Sequence, residues 1–235
     1  MPKTLILSDI HEDWNYVQKA EERAKEADAV VCLGDYWDSW AGITENTHLV
    51  TDWVKKKIHD PKWTLLWGNH DLHYAFDIRG LRCSGYSDTR KQIIRPHFRL
   101  RDWSRLKFHT WVDSSWLLSH AGLVTIPDLP GDVSIAQYIH ETEADVRKAL
   151  GAGQMHPWLE AGYARGGRHG FGGIVWTDWR DMRVVLGINQ LVGHSEGYDI
   201  RRKTMMGFQS VCMDTQRRHL AWLENDELSF EQVKN

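Results

Sequence analysis

The stretch Trp63-Thr64-Leu65-Leu66-Trp67-Gly68-Asn69-His70-Asp71 decides the fold of this chain. An apolar, β-favouring run stops at a glycine, which predicts a buried strand over 63–67 that delivers polar side chains at its carboxyl end. In open α/β sheets, ligands bind at this end of the strands. An amide carbonyl is a hard oxygen ligand, and an imidazole can bind a metal or move a proton. The stretch therefore predicts a sheet with a site at its edge.

Polar clusters of the same kind follow other apolar runs of the chain. There are four of them: Asp9-Ile10-His11, Gly34-Asp35-Tyr36-Trp37-Asp38, Ser119-His120-Ala121-Gly122 and Gly193-His194-Ser195. Each alone is weak, because a single histidine at a strand end is more often structural than a ligand. Their ordered conjunction, with carboxylate, amide and imidazole groups at five strand ends, predicts a metal site built from five strands.

The order of the apolar runs predicts an α/β fold. The pattern is strand 4–7, helix 14–27, strand 29–33, helix 46–58 and strand 63–67. This βαβαβ rhythm in the N-terminal half favours parallel strands joined by right-handed crossovers. Further along, we expect a hairpin over 106–119, a helix over 135–150 and closing antiparallel strands over 209–213 and 219–223.

We expect one domain over 1–235 with two unusual segments. The first is a basic, aromatic-containing insert around 72–110, with nine Lys or Arg against two Asp between Arg79 and Lys107. It is either a solvated surface or a cationic wall that attracts phosphorylated substrates. The second is a glycine-rich loop around 162–173, which is either a mobile substrate-facing loop or a flexible linker.

Bulk composition restricts the location and the partners. The formal charge of −3 argues against wholesale binding to nucleic acid or membranes. The longest apolar stretches are well short of the roughly 20 residues that span a membrane. The N-terminal residues run directly into Ser8-Asp9, which indicates a first strand rather than a leader peptide. Three cysteines without Cys-x-x-Cys spacing predict no disulfide framework, and we expect a cytoplasmic protein with no membrane partner.

The five clusters resemble a known family. Their order, Asp-x-His, Gly-Asp-x-x-Asp, Gly-Asn-His-Asp, His-Ala-Gly and Gly-His, is similar to that of the calcineurin-like metallophosphoesterases. The His120 and His194 clusters are most similar to the phosphoprotein phosphatase branch and its small bacterial and phage relatives. Met213-Asp214-Thr215 is similar to an Ile-Asp-Thr strand of those small phosphatases. The resemblance covers residues 9–215 and implies a sandwich of two mixed β-sheets flanked by helices.

The resemblance also implies a cofactor and a set of ligands. The cofactor would be two divalent metal ions, with manganese expected and iron, zinc or nickel as alternatives. The implied metal ligands are Asp9 and His11 for the first ion, Asp35 as the bridge, and Asn69, His120 and His194 for the second ion. A hydroxide bridging the metals would attack the phosphorus in line. His70, oriented by Asp38, would act as the general acid on the leaving group.

Some positions depart from the family pattern. Ser39 stands where these phosphatases usually carry an arginine that grips the phosphate. A second phosphate-binding arginine is expected between His120 and His194; Arg180 is the first candidate, followed by Arg183, Arg168 and Arg165. Glu196 replaces the second histidine of Gly-His-x-His, which argues against the nuclease and cyclic-nucleotide diesterase branches. Asp71 replaces the commoner glutamate and is expected to be a structural acid.

These observations favour a metal-dependent phosphatase. The leading hypothesis is a phosphomonoesterase acting on a Ser/Thr phosphoprotein or on a small phosphorylated substrate. The alternative is a dinucleoside polyphosphate hydrolase, a nucleic-acid-end phosphatase or a phosphodiesterase, and the basic insert with its aromatic residues keeps it open. A third hypothesis, a scaffold that has lost catalysis, predicts decay of His70 and Asp38, and both are intact.

Overall fold

The computed structural model describes residues 2–233, and its strands form two five-stranded sheets. In chain order the strands are β1 (Thr4–Leu7), β2 (Ala29–Cys32), β3 (Trp63–Leu65), β4 (His109–Val112), β5 (Trp116–Ser119), β6 (Asn189–Val192), β7 (Arg201–Met205), β8 (Phe208–Cys212), β9 (His219–Glu224) and β10 (Glu227–Gln232). The α-helices are α1 (Trp14–Ala24), α2 (Glu45–Lys57), α3 (Asn69–Ala75), α4 (Asp88–Ile94), α5 (Leu100–Trp103) and α6 (Ile135–Gly151).

Both sheets mix parallel and antiparallel pairs. The first has the order β10-β9-β1-β2-β3, in which β1, β2 and β3 are parallel and β9 runs antiparallel to β1. The second has the order β4-β5-β6-β8-β7, with β5, β6 and β8 parallel. The predicted α/β sandwich of two mixed sheets with a βαβαβ N-terminal half is therefore confirmed.

An apolar layer joins the two sheets. Ile6 and Val31 from the first sheet belong to the same buried cluster as Leu118, Leu191 and Val211 from the second. Each of these side chains is at most 3% exposed, and burying one stabilises the fold by about 1.5–3 kcal/mol. The opposite face of the first sheet packs against helices, which explains why its strands are apolar on both faces.

The helix starts follow their capping residues. Asp13 accepts a hydrogen bond from the backbone N–H of Tyr16, and Ser134 accepts one from Gln137. These contacts satisfy N–H groups that the first turn of a helix leaves without partners. Helix α1 ends at Ala24, three residues before the predicted end, because the chain turns at Lys25.

The predicted C-terminal strands form antiparallel pairs, and two further strands join them. The strands predicted over 209–213 and 219–223 exist, but they lie in different sheets: β8 pairs with β6 and β7, whereas β9 pairs with β1 and β10. The sequence analysis also missed β7 and β10. Both are edge strands that carry exposed polar side chains, so they lack an apolar run.

The basic insert is helical and partly buried. Helix α3 begins inside the stretch 63–71, and α4 and α5 follow with short 3-10 turns. Leu81, Ile94 and Trp103 from this segment belong to the main apolar core. The division of the single domain into a core and an insert around 72–110 stays a prediction. Within residues 2–233, none of the helices combines the length and the apolar character needed to cross a bilayer.

Candidate active site

The polar clusters lie after the carboxyl ends of β1, β2, β3, β5 and β6. Parallel pairing places these ends at one edge of the sandwich. Several of the residues have left-handed backbone conformations: φ is +43° at His11, +51° at Asp35, +68° at Asp38 and +65° at His194. Such conformations in non-glycine residues cost free energy and cluster at functional sites. The tight turns aim the side chains of the clusters at a common point.

Asp35 occupies this point. Nε2 of His11 lies 3.6 Å from Oδ2 of Asp35, and Nε2 of His120 lies 3.4 Å from the same oxygen. In both imidazoles Nδ1 contacts a backbone carbonyl, that of Trp37 at 2.9 Å and that of Leu33 at 3.0 Å. A carbonyl only accepts, so Nδ1 carries a proton in both rings, and Nε2 is the ring nitrogen that faces Asp35.

The surroundings of His120 favour a cation at this point. Its Nε2 lies 2.9 Å from Oδ1 of Asn69 and 3.1 Å from Nδ1 of His194. A positive charge at this Nε2, either a second proton or a metal ion, removes the repulsion between its lone pair and the surrounding oxygens. Nε2 of His194 is buried and has no hydrogen-bond partner within residues 2–233. The donor set therefore fits metal ions.

The ligand atoms form two groups that share one residue. Asp9, His11 and Asp35 make one group and Asp35, His120 and His194 the other, with all ligand atoms of a group within 4.8 Å of one another. A shared carboxylate between two donor groups is the arrangement that holds two divalent cations. All six predicted metal ligands thus lie in one cluster, although their assignment to individual ions stays a prediction.

Local backbone contacts hold the acids of this cluster in place. Asp9 accepts a hydrogen bond of 2.9 Å from the backbone N–H of His194, which links the first sheet to the second. Asp71 accepts from the N–H groups of Gly68, Asp35 and Tyr36 at 2.8–2.9 Å. Gly68 is needed here, because a Cβ at this position would lie 2.1 Å from Oδ1 of Asp35. The expectation of a structural role for Asp71 agrees with these contacts.

The protonation equilibria of the cluster reflect its excess of buried acid. Burial opposes the charged form of His120, but Asp35 and Asp9 outweigh it and raise the pKa of His120 to about 9. Burial and the neighbouring His120 lower the pKa of His194 instead, which leaves it neutral. Protons on His120 thus balance charge that divalent cations would otherwise balance.

A second arrangement surrounds Asp38. Its Oδ2 lies 2.9 Å from Nδ1 of His70 and 3.0 Å from Nε2 of His73. Its Oδ1 accepts a hydrogen bond from the Tyr74 hydroxyl and lies 3.5 Å from Nη1 of Arg90. Burial opposes ionisation, but the hydrogen bond from His70 and the close positive charge of His73 prevail and lower the pKa of Asp38 to about 2.

His70 itself lies between this arrangement and the predicted metal ligands. Its backbone N–H donates to Oδ1 of Asp35, and its ring stands edge-on to His11 with centroids 5.2 Å apart. Burial lowers its pKa, whereas Asp35 and Asp38 raise it well above the ordinary value. A protonated imidazole fixed by a carboxylate has the geometry of a general acid.

The candidate phosphate-binding arginines do not all lie at the site. Arg165 comes nearest, since its Nη2 lies 3.1 Å from Oγ of Ser195 and 3.5 Å from the carbonyl of His194. Arg180 pairs with Asp178 and reaches the carbonyl of Ala164, with a side chain 72% exposed. Arg183 and Arg168 complete the predicted set: the first stacks over Phe171, and the second is exposed in the glycine-rich loop.

The sequence analysis missed several residues near Asp38, namely Glu12, His73, Tyr74, Cys83 and Arg90. Arg90 is 3% exposed and forms an ion pair with Glu12, although it was assigned to the basic surface segment. His70, His73 and Tyr74 share a face of α3, and a helix predicted to begin at Asn69 would have revealed this spacing. A groove of about 820 Å³ near Trp63, His109 and Arg147 shares no residue with the site.

Comparisons with known proteins agree with this geometry. Residues 2–195 match the family model described as calcineurin-like phosphoesterase. The fold is similar to a cold-active protein-tyrosine phosphatase of the psychrophile Shewanella sp., at 15% identity and a TM-score of 0.58 over 100% of this chain and 81% of that one. It is also similar to a protein serine/threonine phosphatase from Saccharomyces cerevisiae, described as similar to human phosphatase PP5, at 12% identity and a TM-score of 0.54 over 99% and 80%.

At these identities the two solved structures show the fold alone. No curated protein sequence matches the chain. The family match covers both donor groups around Asp35 and the Asp38–His70 pair. The chain therefore belongs to the calcineurin-like phosphoesterase family and is a phosphoric ester hydrolase.

Proposed function

We propose that this protein is a phosphomonoesterase that uses two divalent ions, with manganese as the native metal. The observation that carries the proposal is the Asp38–His70 pair next to the donor groups that share Asp35. Oxygen and imidazole donors without a thiolate suit manganese, with iron, zinc and nickel as alternatives. The three cysteines are free, which is compatible with the expected cytoplasmic location.

Each part of the site has a distinct task in the proposed reaction. The two ions, held by Asp9, His11, Asp35, Asn69, His120 and His194, would supply Lewis acidity and an activated water. His70 would give its proton to the leaving-group oxygen as the phosphorus–oxygen bond breaks. Asp38 fixes the tautomer of His70, because its Oδ2 holds the proton on Nδ1. The proton for the leaving group therefore comes from Nε2.

Arg165 is our candidate for the substrate phosphate. Its guanidinium reaches Ser195 beside His194, and Asp178 steadies Nε at 2.7 Å. A charged guanidinium at this place can donate to a phosphoryl oxygen. Arg180 shares Asp178 and supports the same loop, which makes it a positioning residue in this proposal.

The alternative substrates receive less support. The nucleic-acid-end and dinucleoside polyphosphate hypotheses depended on the basic insert. Lys91 and Arg95 pair with Asp77, and Arg90 is buried against Glu12. These three basic side chains therefore contribute less positive potential to a nucleic-acid surface than the sequence suggests.

A comparison of two substrates tests the proposal. Metal-free protein is reconstituted with Mn²⁺, Ni²⁺, Zn²⁺ or Mg²⁺, and p-nitrophenyl phosphate is compared with bis-p-nitrophenyl phosphate. We expect monoester cleavage to dominate with Mn²⁺; diester cleavage without monoester cleavage would refute the phosphatase. Arg165→Ala should raise KM about tenfold or more, because a charge-assisted contact contributes about 1.5–3 kcal/mol. Arg183→Ala is the matched control, since that guanidinium stacks on Phe171.

A further inference from the structure

A third cluster of metal-binding groups lies beside His70. Sγ of Cys83 is 3.6 Å from Nδ1 of His70 and 3.6 Å from Nδ1 of His73. Asp38 closes the cluster, with Oδ2 2.9 Å from Nδ1 of His70. Asp38, His73 and Cys83 offer ligand atoms that all lie within 4.8 Å of one another. His70 adjoins this group of three through its contacts with Asp38 and Cys83. The group shares no member with the two donor groups around Asp35.

The spacing of these atoms matches a tetrahedral zinc site. With Zn–S of about 2.3 Å and Zn–N of about 2.0–2.1 Å, ligand atoms at tetrahedral angles lie about 3.5 Å apart for a sulfur–nitrogen pair. Both sulfur–nitrogen distances in the cluster are 3.6 Å. His70 and His73 would ligate through Nδ1, the atom of each ring that faces Cys83. These two pairs of atoms therefore already have the spacing that the ion needs.

The hydrogen bonding of the cluster is incomplete without an ion. The His73 side chain is fully buried. Its Nε2 has no hydrogen-bond partner within residues 2–233, because Oδ2 of Asp38, only 3.0 Å away, lies outside hydrogen-bonding geometry. Tyr74 and Arg90 engage the other oxygen of Asp38 and leave Oδ2 turned towards the two histidines. A buried polar atom without a satisfied contact is costly. An ion bound at Nδ1 of His73 would leave the ring proton on Nε2, which makes Nε2 a donor beside Oδ2 of Asp38.

We propose that Asp38, His70, His73 and Cys83 form an inhibitory zinc site. A thiolate with imidazole and carboxylate ligands selects zinc over manganese, because thiolate is a soft ligand. Cys83 would bind as the thiolate and release its proton to solvent. The negative charges of Asp38 and the thiolate offset the repulsion between the incoming ion and Arg90. This site is distinct from the two-ion centre, whose donors contain no sulfur.

Zinc at this site would stop the general acid from working. An ion bound to Nδ1 of His70 replaces the contact that Asp38 makes there. Nε2 then keeps its proton, because losing it would leave a metal-bound imidazolate, so the ring no longer acts as a general acid. This consequence depends on the proposed phosphatase function, whereas the metal site itself does not. General acid catalysis raises reaction rates by about 10²–10⁴-fold, so we expect saturating zinc to lower turnover about 10²-fold.

Cobalt spectroscopy tests the site without any assay of activity. The manganese-loaded protein is titrated with Co²⁺, and thiolate-to-cobalt charge-transfer absorption is recorded in the near ultraviolet. We expect this band in the wild type and its loss in Cys83→Ser, because the other two cysteines are fully buried and belong to none of the donor groups. Absence of the band in the wild type would overturn the proposal.

Zinc inhibition provides the second test. Manganese-loaded wild type and Cys83→Ser are assayed with p-nitrophenyl phosphate in the presence of excess Mn²⁺ and buffered Zn²⁺. We expect strong inhibition of the wild type and less than about twofold inhibition of a Cys83→Ser protein that retains its basal activity. Equal inhibition of both proteins would mean that zinc acts at the two-ion centre and would refute the inhibitory site. If the manganese enzyme hydrolyses no monoester, the proposed function fails, while the cobalt spectrum still decides whether the metal site exists. Melting curves of both proteins establish that the variant is folded. The cobalt spectrum of the wild type tests the site even if the variant does not fold.

Discussion

The replacement Asp38→Asn isolates the role of the carboxylate behind His70. The variant keeps the size of the side chain and removes its charge, so the contacts with His73 and Tyr74 keep their geometry better than they would in an alanine variant. Asp38 is also outside the donor groups that share Asp35. We therefore expect a loss of turnover without a loss of metal from the two-ion centre.

The size of the loss follows from the hydrogen bond of 2.9 Å between Asp38 and His70. A hydrogen bond to a charged group contributes about 1.5–3 kcal/mol and a neutral one about 0.5–1.5 kcal/mol. If the asparagine oxygen keeps the contact, about 1 kcal/mol is lost, which lowers kcat about fivefold. If the amide group turns towards the ring, the whole contact is lost and kcat falls about 100-fold.

The leaving group distinguishes general acid catalysis from a merely structural effect. Phenoxide needs protonation far more than p-nitrophenoxide does, so Asp38→Asn should slow phenyl phosphate more than p-nitrophenyl phosphate. The change also removes one of the charges that raise the pKa of His70. A general acid works below its pKa, so the alkaline limb of the kcat profile should move to lower pH.

Matched measurements complete this test. Asp77→Asn serves as the control, because that carboxylate is 59% exposed and pairs with Lys91 and Arg95 away from the site. Metal content and melting temperature are measured for both variants. Equal slowing of both substrates, or loss of metal from Asp38→Asn, would refute the role assigned to the Asp38–His70 pair.

Two further predictions concern the scaffold. Gly68→Ala should release metal and lower the melting temperature, because its Cβ would lie 2.1 Å from Oδ1 of Asp35. Gly131→Ala is the control and should change neither property, because the space around the added carbon is open. Retained metal in Gly68→Ala would contradict this geometry. Burial opposes ionisation of Asp102, but hydrogen bonds from Lys55 and from the backbone of Arg99 lower its pKa to about 2. The contribution of Asp102 to stability is therefore present above the ordinary pKa of 3.8 and lost as the pH falls towards 2. Thermal melts should show Asp102→Asn less stable than the wild type by about 1.5–3 kcal/mol at pH 7. This difference in stability should become smaller below pH 3.8.

The sequence predicted the parts of the fold that depend on local patterns. Strands β1 and β2 begin at the predicted residues, and the helix α1 starts after its capping residue Asp13. The edge strands β7 and β10 were not predicted, because strands that pair along one side only can carry exposed polar residues and need no apolar run. Pattern recognition therefore succeeds for buried strands and fails where backbone pairing alone defines the element.

The site shows the same division between local and distant information. Each predicted metal ligand follows a recognisable apolar run, and the family resemblance supplied the order. The ion pair of Arg90 with Glu12 joins residues 78 positions apart, and charge counting along the chain could only assign Arg90 to a basic surface. His73 could have been predicted, because a helix that begins directly after Gly68 places it one turn beyond His70.

Arg90 is also close to Ser39, which stands where the family usually has a phosphate-binding arginine. Its guanidinium lies next to the segment that contains Ser39, with Nη2 3.4 Å from the carbonyl of Ser39 and 2.8 Å from that of Gly42. Nε donates to Glu12 at 2.8 Å, and the residue is 3% exposed. A guanidinium whose donors face inward cannot also grip a phosphate, so Arg90 fixes the loop beside Asp38 and does not replace the arginine that Ser39 displaces. Binding of the substrate phosphate then depends on Arg165, on the other side of the two-ion centre. Arg165→Ala should therefore impair substrate binding more than it would in a phosphatase that keeps a second phosphate-binding arginine.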